Sequence, residues 1–332
     1  MAIPARAQSQ DKPWLTVMAF ITAVELAWWL VLWRLGIAPL PHLPTYLALA
    51  VLGLVAAIGV RLVLKLPPTA VPWPIVILVT LLVGAGASAF LPLKYAIPNE
   101  IAFWVDRPLA LAERQLFGAD PWVLIERALG WATVPMDWLY GCWMPVQTLA
   151  LFSLILSRPS PEKSHALIAY SLAWFLLGVV AAVLFSSAGP IFYDRLYGGN
   201  DFQPLDVMLR ARGGWFALTE SDLMWASRSD SSPGIVAGIS AVPSIHVAIS
   251  LWMYLAARRL APRAAPVALG YFLLIWLGSV QLGWHYVTDG LAGAVGMLAV
   301  WILAKILQSA MFADREIYGT RTVSIASGNR SG

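Results

Sequence analysis

Pro243-Ser244-Ile245-His246 and His285-Tyr286-Val287-Thr288-Asp289 each stand where a long apolar segment meets a polar loop. These residue types can move protons and attack an electrophile. Ser244 precedes a helical pattern and is of the type that caps a helix start. The first turn of that helix presents unpaired N–H groups and the positive end of the helix dipole, which suits an anion. His246 lies inside that turn. His285 and Asp289 are four residues apart, so on a helix they share a face. The carboxylate can accept a hydrogen bond from one imidazole nitrogen, fix the tautomer and leave the other nitrogen free as a nucleophile. A second histidine opposite can protonate a leaving oxygen. Together these parts suit phosphoryl transfer through a phosphohistidine, with arginines and backbone N–H groups neutralising the phosphate charge in place of a metal ion.

The elements that must position these groups are matched to hydrocarbon. Of 332 residues, 59% are hydrophobic and 12% are charged, against about a quarter charged in soluble domains. Roughly 20 apolar residues span a bilayer, and eight spans are expected, near 14–33, 45–64, 75–90, 138–156, 166–185, 244–259, 267–282 and 286–307. The expected fold class is therefore all-α, a polytopic membrane protein of about eight transmembrane helices. The first span is too long for a signal-peptide core and reads as an anchor. Glu25 within it is costly in lipid and is expected to face other helices. The connection over 94–135 has apolar spacing over 109–129 that suits amphipathic helices at the headgroup level. The connection over 186–240 is rich in Gly, Ser and Asp and has no sustained period. One cysteine, Cys142, excludes an intrachain disulfide. The net charge of +4 is small and sits mostly at span ends, which argues against a nucleic-acid partner and for membrane lipids.

Basic residues set the expected orientation. The short connections on the side of the termini are dense in charge, with Arg61, Lys65, Arg158, Lys163, Arg258, Arg259 and Arg263. The positive-inside rule then places both termini in the cytoplasm and both long connections, with His246 and His285, on the opposite face.

The pattern Pro243-Ser244-x-His246 followed by His285-x-x-x-Asp289 resembles the type-2 phosphatidic acid phosphatase superfamily of membrane lipid phosphatases. The separation of the histidines, Ile245 and the His-Tyr-x-x-Asp form are similar to its inositol-phosphorylceramide-synthase-like branch. Leu116–Pro121 and Ala188–Tyr193 agree more weakly. The resemblance covers about residues 75–308. It implies a six-helix core over 72–312, preceded by a two-helix membrane extension over 1–71 and followed by a cytoplasmic tail over 313–332, which its composition marks as disordered. It implies His285 as nucleophile, His246 as general acid and Asp289 as the orienting carboxylate of an enzyme that works without cofactor or metal. It also implies a bacterial inner membrane, with the site on the periplasmic face. Two family cations are missing. Glu100 stands where the first motif has its lysine, seven residues before Arg107-Pro108, and Ser279 stands where the third motif has an arginine. Lys94, Arg107 and Arg195 are the candidate replacements on the correct side, with Ser244 as a further substrate-binding residue.

Other readings stay open at this stage. His285 and Asp289 form a purely structural pair in one of them. His246, His285 and Asp289 hold a metal in another, although no further His or Cys on that side supports it. His42 and His165 read as interfacial residues without a catalytic role, and most tryptophans as interface anchors. Asp206, Asp222 and Asp230 offer carboxylates for sugar hydroxyls. A water acceptor makes the protein a phosphatase and a lipid hydroxyl makes it a headgroup transferase. A transporter or a non-enzymatic lipid-binding scaffold are the readings from other classes.

Overall fold

The computed structural model describes residues 11–38, 42–227 and 238–328, with side chains as far as Met311. Every regular element among them is a helix. The first three are α1 (Lys12–Arg34), α2 (Leu43–Val63) and α3 (Trp73–Glu100). α4 (Asp106–Phe117) and α5 (Pro121–Leu129) are short and amphipathic. α6 (Thr133–Gly141) and α7 (Trp143–Ile155) form one path bent by 47°. α8 (Pro161–Leu184) contains one wider, π-helical stretch at Leu176–Ala181. α9 (Pro190–Tyr197), α10 (Gln203–Arg212) and α11 (Trp215–Ser227) follow. α12 (Ile245–Leu260), α13 (Ala265–Gln281) and α14 (Val287–Gly328) complete the chain. The all-α, polytopic membrane class expected from composition is the class observed.

Among the described residues, six stretches are long and apolar enough to cross a bilayer: α1, α2, α3, α8, Pro262–Gln281 and Val287–Met311. The other two expected spans are shorter. α7 has 13 residues and α12 has 16, where a straight crossing takes about 20. α7 gains length only together with the bent run Pro121–Gly141. α12 is the inner helix, with Val247 through Met253 all buried, so protein rather than lipid surrounds most of it.

Two expectations for the long connections are corrected. α3 continues through Pro92 and Pro98 to Glu100, so Lys94 is a buried helix residue and not part of a loop. A proline costs one backbone hydrogen bond and strains the turn before it, yet Pro92, Leu93, Lys94, Ala96, Ile97 and Pro98 are all buried in this helix. The stretch 186–227, which shows no sustained period, folds into the three short helices α9, α10 and α11. Their turns are closed by glycines at positive φ, including Gly198 and Gly213. The last helix runs on to Gly328, through the stretch whose composition suggests a disordered tail.

The N-terminal pair packs on the rest of the bundle. α1 buries Trp14, Val17, Met18, Ile21, Thr22 and Glu25, a stripe at helical spacing, against α3 and α8. Glu25 thus faces other helices, as its cost in lipid demands. At the base of this contact Lys163 is fully buried. Its Nζ donates to the carbonyls of Ile155 (2.8 Å) and Ser157 (3.2 Å) and pairs with Asp11 at 3.3 Å. Asp11 also accepts from Trp14 Nε1 at 2.9 Å.

Candidate active site

The start of α12 is built as the sequence suggests. Ser244 has extended backbone, and its hydroxyl oxygen accepts from the Val247 N–H at 3.4 Å. Its own N–H donates to the Asp289 carbonyl at 3.0 Å. This bond ties the Pro-Ser loop to the first turn of α14. Gly293 makes the approach possible, because a Cβ there would collide with the Ser244 carbonyl. His246 therefore stands in the first turn of α12, directly beside α14.

His285 sits in the tight turn between α13 and α14. Its N–H donates to the Ser279 carbonyl at 3.1 Å, so the residue that replaces the expected arginine serves the site through its backbone. The His285 Nδ1 lies 3.4 Å from Asp289 Oδ2, with both side chains buried. That oxygen accepts from the Tyr286 N–H at 2.9 Å, which fixes the carboxylate. The rings of His246 and His285 have centroids 6.0 Å apart. Burial, with the Lys94 ammonium adding to it, pushes the His285 imidazole down to about 3. It is a neutral ring at physiological pH, as a nucleophile must be.

The three candidate cations separate. Lys94 is buried and acts electrostatically on both His246 and His285. Among the described residues it has no carboxylate partner; its ammonium lies 6.0 Å from the Phe90 ring centroid. Arg107 is exposed and stacks on Tyr197 at 4.5 Å. Arg195 is committed to Asp222 at 2.5 Å. Asp206 pairs with Arg210 at 2.9 Å, and Asp230 lies outside the described residues. Of the residues singled out by type and spacing, the structure brings together Ser244, His246, His285, Asp289 and Lys94, and engages Arg107 with Tyr197 and Arg195 with Asp222. His42 starts α2, far along the chain from the cluster, and His165 bonds the Trp301 carbonyl at 2.8 Å.

Two buried carboxylates that sequence reasoning did not single out hold this arrangement together. Asp106 accepts from Ser187 Oγ (2.9 Å), Ala188 N (2.9 Å) and Gly189 N (2.8 Å). Burial raises its pKa, although these donors pull it back down. Gly189 has φ +93°, and a Cβ on it would strike the Trp284 carbonyl, so the pinned loop packs directly on the turn that carries His285. Glu113 accepts from Thr288 N (2.7 Å) and Thr288 Oγ1 (2.8 Å), capping α14 from α4. Asp106, Ala110 and Glu113 form the buried face of α4. The signal was legible: two acids, each one turn from Ala110, on the inward stripe of an amphipathic helix.

A model of the PAP2 superfamily matches residues 107–303. That is more than half of the chain, and it includes both histidines and Asp289. The protein belongs to the PAP2 superfamily. No curated protein and no solved structure matches it. Membership supports an activity of the lipid phosphatase or phosphotransferase type in general. The match begins at Arg107, so Lys94, α1 and α2 lie before it. The charge that faces the histidines of this PAP2 protein thus comes from a helix outside the matched stretch.

Aromatic rings complete the wall. Tyr140 stacks on His246 with centroids 4.7 Å apart and planes 24° apart. Trp143 meets the same imidazole at 4.2 Å. Neither stands out in the sequence, where tryptophans near span ends read as interface anchors. Trp104 and Trp131 are exposed in keeping with that reading, whereas Trp14, Trp143 and Trp252 are buried.

Proposed function

We propose that this PAP2 protein transfers a phosphoryl group from a lipid phosphate or phosphodiester through a phosphohistidine. A nitrogen of neutral His285 attacks phosphorus. The P–N bond forms as the bond to the leaving oxygen breaks, and His246 gives that oxygen its proton. Asp289 offsets the positive charge that grows on the His285 ring. In the second half the acceptor hydroxyl gives its proton back to His246, attacks phosphorus and releases His285. Lys94 and the free N–H groups of the first turn of α12 offset the phosphate charge, so the chemistry is expected to run without a divalent metal. Arg107 and Arg195 are left with positioning or surface roles.

The observation that carries the reading is the convergence of His246, His285–Asp289 and an unpaired buried lysine from three helices and one turn. Reacting atoms close to about 3–3.5 Å, and rings 6.0 Å apart can both touch one phosphoryl group and its leaving oxygen. A structural His–Asp pair alone would not bring an unpaired ammonium to the same place, because an isolated buried charge costs several kcal/mol.

A lipid hydroxyl as acceptor, the headgroup-transferase reading, is favoured by one feature. The His285 side chain is only 6% exposed and His246 is walled by aromatic rings, which restricts water. The inositol-phosphorylceramide-synthase-like branch belongs to that reading. The site then lies on the extracytoplasmic face of a plasma membrane, the bacterial inner membrane, and takes its lipid from the outer leaflet.

Purified protein in detergent tests both forms without divalent metal. One reaction contains short-chain phosphatidic acid, the other phosphatidylinositol with ceramide or diacylglycerol. Free phosphate from the first identifies a phosphatase, and a new phospholipid from the second a transferase. Either product must vanish in His285→Ala. Turnover that persists in that variant removes His285 from the mechanism.

A further inference from the structure

The bend between α6 and α7 has a chemical consequence. Tyr140 is the penultimate residue of α6 and Trp143 the first of α7. Three residues apart on a straight helix, both side chains would project from one face. Across the break at Cys142 both rings meet the one imidazole, Tyr140 in a near-parallel stack and Trp143 at a tilt of 48°. Each ring is separately anchored. Trp143 Nε1 donates to Ser250 Oγ at 3.1 Å, one turn below His246 on α12. Tyr140 also lies parallel to Trp284, 12° between planes and 6.2 Å between centroids. Trp284 immediately precedes His285. Tyr140 is thus a spacer between the ring of one histidine and the turn that carries the other. From the far side, Asp137 on α6 caps α11 by accepting from Phe216 N (2.7 Å) and Ala217 N (2.9 Å). Phe216 in turn packs against Gly141 at the bend.

We infer that Tyr140 and Trp143 are positioning residues that act through His246, holding its imidazole in the orientation from which it protonates the leaving oxygen. This rests on the general-acid role of His246. Two π faces within about 6 Å offset part of the cost of protonating this buried ring. They also remove rotamers of His246 that would turn its nitrogen away from phosphorus. The proton moves from the His246 ring to the leaving oxygen as the P–O bond breaks, and the aromatic pair takes no part in bonding.

The test compares two leaving groups. Diacylglycerol leaving from short-chain phosphatidic acid needs a proton, whereas nitrophenolate leaving from p-nitrophenyl phosphate does not. For Tyr140→Leu and Trp143→Leu, kcat on phosphatidic acid is expected to fall by about 10- to 100-fold, within the range of general-acid effects. On p-nitrophenyl phosphate the fall is expected to be less than about threefold, with KM little changed for either substrate. Tyr140→Phe, which keeps the ring, is expected to restore the wild-type ratio of the two rates. Equal losses on both substrates would overturn the assignment and mark the rings as general packing. A second measurement stands apart from turnover. Diethylpyrocarbonate modification of His246, followed by mass spectrometry, is expected to speed up in both Leu variants while His42 reacts as before. Unchanged modification of His246 would overturn the clamp even in the absence of any substrate. Loss of both reactions in the wild type with faster labelling in the variants would instead remove the proposed activity and leave the clamp.

Discussion

Two buried lysines sit in two parts of this bundle, and they are solvated differently. Lys163 has two backbone carbonyls, the Asp11 carboxylate and the Trp14 ring around its ammonium. Lys94 has a phenylalanine ring and two histidines, and no anion among the described residues. A buried charge is tolerated when its desolvation is offset by partners. The first lysine carries its partners with it and behaves as part of the scaffold. The second has no carboxylate partner among the described residues, so its desolvation is not offset within the protein.

The comparison can be broken at several points. The largest effect is expected at His285, where replacement by Ala should lower turnover by at least about 10³-fold with unchanged detergent-solubilised size, as for loss of a covalent nucleophile. Next come the two lysines, which should respond with opposite signs. Lys94→Met is expected to cut turnover by about 10²- to 10³-fold, the range for loss of one donor to developing charge, and to hold or raise the thermal midpoint, since an unpaired buried charge is gone. Lys163→Met is expected to cost about 3 kcal/mol of stability by stranding Asp11, seen as a lower thermal midpoint, with turnover per folded molecule preserved. Reversed outcomes in the two variants would erase the distinction.

A smaller effect is expected at the Asp106 pin. Asp106→Ala leaves three donors of Ser187, Ala188 and Gly189 without their acceptor, at about 1–3 kcal/mol for such a loss. A lower thermal midpoint, with faster proteolysis in 186–189 than elsewhere, is the reading that checks it. The smallest effect concerns pH. The folded pKa of His285 is depressed to about 3, so its neutral form persists far below the ordinary imidazole range. Lowering the pH from 8 to 5 should therefore leave the nucleophile intact. The rate on phosphatidic acid should not show an acid limb with a midpoint near 6.5, and such a limb would mean that His285 is solvated like an ordinary histidine.

The four candidate residues were legible because they lie close in sequence to helix starts. Ser244, His246, His285 and Asp289 are fixed by local rules, a cap and an i, i+4 pair, and the fold needed only to bring two helix starts together. Lys94 was half legible. Its residue type marked it as a candidate, but the apolar run ends near Phe90, whereas the structure carries the helix on to Glu100. Arg107 and Arg195 shared its sequence credentials and are drawn elsewhere by Tyr197 and Asp222, partners far along the chain. Tyr140 and Trp143 were hidden for a different reason. Their role depends on a bend, and aromatic residues near a span end look the same whether they face lipid or a histidine. The eight expected spans likewise differ in length, because α7 and α12 are shorter than the about 20 residues a straight crossing takes.

The measurement that tests the central claim most directly is a rapid acid-free quench of the enzyme with lipid substrate labelled at phosphorus. The account predicts a phosphoenzyme that is stable to base and labile to acid, forms within one turnover, maps to the peptide holding His285 and is absent in His285→Ala. Steady turnover in the wild type with no labelled protein at any time, or a label on another residue, would contradict it.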